Sequence, residues 1–144
     1  MPLKREGRDM AVNFGVNYLA VIVAAVAAIG IGILYYGVAG IGDRLARMNG
    51  TTPPSGAPSP VSFAIGIVVA LVNAWVLALL SLNLGGASIA DGIVLGILVW
   101  IGFQATLKAA QVVFEQRSWN AWVLSGAHDL AIQIVMGGIV TVWH

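Results

Sequence analysis

Apolar residues fill four long runs along this chain, and polar residues gather between them. The runs extend from about Val16 to Ile41, Val61 to Leu84, Ile89 to Phe114 and Trp122 to Trp143. At about 1.5 Å of rise per residue, each can cross a hydrocarbon core of about 30 Å as a helix. Lipid offers the backbone no hydrogen-bond partner, so such runs are helices despite many Val and Ile residues that would favour strands in water. The expected fold is all-α, a four-transmembrane-helix bundle of antiparallel up-down topology. It forms a single membrane domain over residues 16–144, behind a polar extension at 1–15.

The breaks between runs carry their own signals. Gly42 to Pro60 is polar and then rich in Pro, Ser and Gly. It reads as a loop that opens with a short interfacial turn around Leu45. Gly85-Gly86 ends the second helix, and Ser88-Ile89-Ala90-Asp91 has the S-x-x-D form of a capping box that starts the third. Tyr35, Tyr36, Trp119, Trp122 and Trp143 stand at run ends, where aromatic side chains anchor helices at the membrane surface.

Composition fits the pattern: 59% of residues are hydrophobic and 9% charged, against roughly 25% charged in soluble domains. The lipid bilayer is therefore the first expected partner, and function must sit within or between helices. The net charge is +1, with Lys4, Arg5 and Arg8 the densest basic cluster, so no nucleic-acid partner is expected. The chain has no cysteine, which excludes disulfides, thiolate zinc sites and iron–sulfur clusters. Basic residues ahead of an apolar run could also open a secretory signal. The run continues to Tyr35 and Tyr36, beyond the roughly 7–15 residues of a signal core, so it reads as a first span. Lys4, Arg5 and Arg8 oppose Arg44, Arg47, Lys108 and Arg117 across the membrane, leaving a slight lean towards cytoplasmic polar loops.

Small residues recur at four-residue spacing: Ala20, Ala24, Ala28 and Gly32 in the first span, then Gly66, Ala70, Ala74 and Ala78 in the second. Gly92 and Gly96 form a G-x-x-x-G in the third. In lipid such stripes let backbones approach closely, either within the bundle or at a seam between copies. Asn73 falls near the middle of the second span and is expected to bond to a neighbouring helix.

The last two spans each carry a polar stripe. Gln104, Lys108, Gln111 and Glu115 share one face of the third, and Ser125, Asp129 and Gln133 one face of the fourth, with His128 beside them. In a hairpin centred near Ser118 and Trp119, Lys108 is level with Asp129 and Gln104 with Gln133. A lone charge near a helix centre costs about 2.5–3.5 kcal/mol on insertion scales, so ionisable groups there pair or face a wet cavity. A Lys108–Asp129 contact follows as an expectation.

Ser125, His128 and Asp129 do not make a hydrolase triad, because neighbours on one helix diverge by about 100°. His128 and His144 lie far apart along one helix and cannot share a metal or haem. No nucleotide-binding or metalloprotease motif occurs, so no catalytic residue, metal site or cofactor is expected, and the chain reads as no enzyme.

The stretches NYLAVIVAAVAAIGIGILYYG (Asn17 to Gly37), GILVWIGFQAT (Gly96 to Thr106), FEQRSW (Phe114 to Trp119) and MGGIVTVW (Met136 to Trp143) resemble the mostly bacterial family of small membrane proteins called domain of unknown function 1761. The likeness spans roughly Asn17 to Trp143. It implies a four-helix membrane protein and brings no activity and no catalytic residue. Family members often carry Ser-Pro after the aromatic pair, where this chain has Gly37-Val38. The resemblance implies a cell-membrane location, the bacterial inner membrane in particular.

Two functions remain open. The leading one is a self-associating protein, or an accessory subunit of a membrane complex, held by small-residue seams. The alternative is a small oligomeric transporter or channel that uses Lys108, His128 and Asp129. A cavity bordered by those three side chains would favour the second, and dry packing the first.

Overall fold

The computed structural model describes residues 11–53 and 55–143. Lys4, Arg5, Arg8 and His144 lie outside the described residues, as does most of the expected extension at 1–15. Among the described residues five helices follow one another: α1 (Tyr18–Val38), α2 (Ile41–Met48), α3 (Pro60–Leu84), α4 (Ile89–Phe114) and α5 (Trp119–Val142). All but α2 are long and apolar enough to cross a membrane.

Caps explain where the spans depart from their expected ends. The Asn17 side chain accepts from the Leu19 and Ala20 N–H groups at 3.0 and 3.2 Å, so α1 begins after it. At the far end Gly40, with φ of +67°, separates α1 from α2 before the expected end at Ile41. Ser118 caps α5 and moves its start from Trp122 to Trp119. At α4 the reciprocal box is present: Asp91 N–H donates to Ser88 Oγ at 3.2 Å, and Ser88 N–H to Asp91 Oδ2 at 2.9 Å. The loop expected over 42–60 is helical at its start, because α2 is amphipathic. Ile41, Leu45 and Met48 are half-buried, while Asp43, Arg44 and Arg47 are exposed.

α5 is the spine of the bundle and packs on α1, α3 and α4. Its closest neighbour is α4. A Cβ built on Gly92 would overlap the Gly137 carbonyl, and one on Gly96 the Gln133 carbonyl. Gly137 is equally committed, since its own Cβ would strike the Gly92 carbonyl. The two backbones therefore touch, which any side chain at these positions would prevent. Ala20, Ala24 and Ala28 of α1 and Ala74 and Ala78 of α3 are buried in the same core.

The second stripe does not pack along its whole length. Ala74 is fully buried and Ala70 half-buried, but Gly66 is exposed and a Cβ there would meet nothing within 4 Å. α3 leans onto α5 at its C-terminal end, where Ser81 Oγ donates to Thr141 Oγ1 at 2.8 Å. Nearby, Asn83 and Asn13 exchange hydrogen bonds of 2.8 and 3.0 Å, and Phe14 stacks on Trp75. Towards the N-terminus of α3 these attachments end, and the helix stands away from α4.

Two segments are wound wider than an α-helix: Ile33–Val38 at the end of α1 and Trp100–Ala105 within α4. Such π turns leave carbonyls without their usual partner, which lipid cannot supply. Here Trp122 Nε1–H donates to the Ala105 carbonyl at 3.3 Å, and Thr106 Oγ to the Gly102 carbonyl at 2.8 Å. Trp122, expected as a surface anchor, thus serves the backbone of α4 instead.

Gly96→Ala is expected to destabilise the protein by about 1–3 kcal/mol through overpacking against α5, whereas Gly66→Ala should stay within about 0.5 kcal/mol of the parent. Thermal or denaturant unfolding in mild detergent reads both. Equal tolerance at the two positions would contradict the backbone contact at Gly96.

Candidate functional site

Lys108 lies on α4 just beyond its π segment, and Asp129 nearly three turns into α5. Side chains lean towards the N-terminus of their own helix, so Lys108 reaches deeper into the bundle and Asp129 back towards the α4–α5 turn. They meet: Lys108 Nζ contacts Asp129 Oδ2. The other carboxylate oxygen, Oδ1, faces His128 Nδ1 at 3.1 Å. With Nδ1–H donating to the carboxylate, the imidazole holds its lone pair at Nε2.

His128 is 8% exposed and sits against α1. Its ring centroid is 5.4 Å from that of Tyr35 and 4.4 Å from that of Tyr36. Tyr35 is itself fixed, its hydroxyl donating to the Leu124 carbonyl at 2.8 Å. Nε2 is buried and has no hydrogen-bond partner among the described residues. Gly32 lies beside it, and a Cβ there would sit 3.6 Å from Nε2. Tyr35 and Tyr36, expected as surface anchors, instead form the wall behind His128. Their spacing of three and four residues from Gly32 was the available signal, since it puts all three on one helical face.

The rest of the expected ladder divides. Gln133 is fully buried but is not level with Gln104; Gly96 faces it, about two helical turns away from the expected register. The error came from placing the hairpin's centre at the turn, when the glycine contact between α4 and α5 sets the register. Gln133 Nε2 instead donates to Asn73 Oδ1 on α3 at 3.2 Å, and Asn73 Nδ2 approaches Met136 Sδ at 3.9 Å. Gln133 Oε1 is buried without a partner among the described residues. Gln104 is half-buried. Gln111 is exposed and belongs to a second hollow of about 170 Å³ beside Arg117 and Leu45, which meets a larger cleft at Lys108.

A cleft of about 820 Å³ joins the two polar groups. Lys108, Asp129 and His128 line it together with Gln104, Asn73, Ser62 and Tyr36, and apolar side chains of all four spans supply most of the remaining wall. This volume is within the roughly 300–1,000 Å³ usual for small-molecule sites. α1 and α5 close the back. The front lies between α3 and α4, where Phe63, Val69, Phe103 and Leu107 are 48–67% exposed. Gly66, expected as a packing residue, lines this opening.

Lys108→Met leaves the Asp129 carboxylate with His128 alone and is expected to cost about 1–3 kcal/mol, discounted for the partial exposure of both side chains. Lys108→Met combined with Asp129→Asn should recover most of that loss in the same unfolding measurement. A double variant as unstable as the single one would show that the two charges are not coupled.

No curated protein and no solved structure matches this chain. A family model described as a protein of unknown function, DUF1761, matches residues 19–141, a stretch that includes all four spans but for the first residue of α1 and the last of α5, together with both π segments and every residue of the Lys108, Asp129 and His128 cluster. The chain therefore belongs to the DUF1761 family of proteins of unknown function.

Proposed function

We propose that this protein is a small membrane transporter whose binding site is the cleft among the four spans, with Lys108, Asp129 and His128 as its polar end. The observation that carries this reading is the position of those three side chains on the wall of an open cleft. A subunit with a purely structural ladder would be packed dry there. Ionisable groups in a membrane interior are costly, and a wet or ligand-bearing path is the usual reason they are present. Two further features favour a moving site over a static one. Both π segments adjoin the cleft, and such turns often occur at functional positions. The apolar wall between α3 and α4 is open, which gives those helices room to close on a ligand.

The cleft has no continuation through the glycine contact of α4 and α5, so passage requires alternating access. No catalytic step is part of this function. The membrane in which it acts is the cell membrane, the bacterial inner membrane by the family resemblance.

Proteoliposomes under an imposed pH gradient, offered a panel of labelled monocarboxylates, amines and neutral lipophiles, test the reading. Flux of at least one class is expected, at least about tenfold above empty liposomes, and Asp129→Asn should abolish it. Folded protein that moves none of the panel, and that co-purifies with a second membrane protein, would favour the accessory-subunit reading instead.

A further inference from the structure

The same cleft also constrains what it can hold. It opens between α3 and α4, where Phe63, Val69, Phe103 and Leu107 present themselves on the lipid-facing surface. A ligand that enters there comes from the hydrocarbon and must be apolar over most of its length. At the polar end the donors and acceptors are unequal. Both oxygens of Asp129 are engaged, Oδ2 by Lys108 and Oδ1 by His128. The Lys108 ammonium has three N–H groups, of which one reaches Asp129, and its side chain is 33% exposed. An incoming amine would meet a like charge and a carboxylate already occupied. An incoming oxygen acceptor would meet free N–H groups.

His128 narrows the choice further. It is 92% buried by its 8% exposure, it lines the cleft, and its Nε2 holds a lone pair with no partner among the described residues. The ionisable groups around it are Tyr35 and Tyr36 from α1, Lys108 from α4 and Asp129 on α5. α3 brings no charged side chain to the lining. A buried base beside an ammonium that has N–H groups beyond the one on Asp129 is arranged to receive both halves of an acid.

We infer that the ligand is a lipophilic carboxylic acid that enters neutral from the bilayer between α3 and α4 and is held ionised at Lys108, with His128 taking its proton. In that step the acid's O–H bond breaks, its electron pair stays on the carboxylate, and the proton forms an N–H bond at Nε2. The carboxylate then lies against the Lys108 ammonium and the imidazolium against Asp129. Total charge is unchanged, so the complex forms without bringing net charge into lipid. This inference rests on the cleft being the binding site, as in the proposed function, but it requires no transport.

The test uses the full chain in phosphatidylcholine nanodiscs, labelled with a diazirine-bearing palmitic acid. Cross-links are expected on 63–70 of α3 and 103–108 of α4. Dodecanoic acid should compete at least about tenfold better than dodecanol, and dodecyltrimethylammonium least of all. Lys108→Met should remove the advantage of the acid over the alcohol. Gly66→Phe, which puts a ring into the open mouth, should suppress labelling by the palmitic acid probe. On binding dodecanoic acid, the parent protein should retain one proton more per ligand than His128→Gln. Stronger competition by the ammonium compound, or equal competition by acid and alcohol, overturns the head-group assignment even if no variant folds. Labelling confined to other surfaces overturns the entry between α3 and α4. Specific acid binding without flux in proteoliposomes would leave this inference standing and refute transport.

Discussion

The contact of the α4 and α5 backbones at Gly92, Gly96 and Gly137 is the constraint on which the rest of the bundle depends. Lipid gives apolar side chains no reason to leave it, so helices in a membrane associate by dispersion and by polar contacts made at short range. Three glycines allow that range at one end of the α4–α5 hairpin. At the same end the tight Gly85–Ser88 connection and the Ser81–Thr141 bond hold α3 on α5. The other end carries bulkier groups: Trp100 and Trp122 between α4 and α5, and the two tyrosines between α1 and α5. A bundle gripped at one end and wedged at the other is open where its polar residues are, and the cleft is that opening.

The architecture was readable because each signal was local. Run lengths fixed four spans by the dimensions of the bilayer, and Ser88 and Asp91 marked the start of α4 by a chemistry confined to four residues. Lys108 and Asp129 were paired from the hairpin register and from the cost of burying either alone, and only the second argument holds whatever the detailed register. That robustness matters, since the register used to reach the pair was itself displaced. Long side chains leaning in opposite directions cover the difference, whereas Gln104 and Gln133 are shorter and do not meet.

What was not readable is what arises between elements. No residue type announces a π turn, so the sequence offered no warning that Ile33–Val38 and Trp100–Ala105 would be wound wider. Small residues at regular spacing look alike whether they touch a neighbour or leave a gap: Ala74 is fully buried and Gly66 faces open space within one stripe. Tyr35 and Tyr36 sat at a span end and so looked like anchors. Their role at His128 depends on where α5 passes, which no pattern within α1 contains.

The π segments give the site an unusual dependence on chain length. A π turn is an α-helix with one residue added, and each residue turns a helix by about 100°. The wide turn at Trp100–Ala105 takes up its added residue locally, so Lys108 keeps its phase, whereas a residue lost from the ordinary turns of α4 between the glycine contact and Trp100 would swing Lys108 about 100° away from Asp129. In Ile33–Val38 both tyrosines lie inside the wide turn, so their place at His128 depends on it directly. Point substitutions in these segments leave the count intact, but insertions and deletions do not. The two wide turns therefore act as slack in their helices, places where the residue count and the meeting of three helices at one imidazole are reconciled.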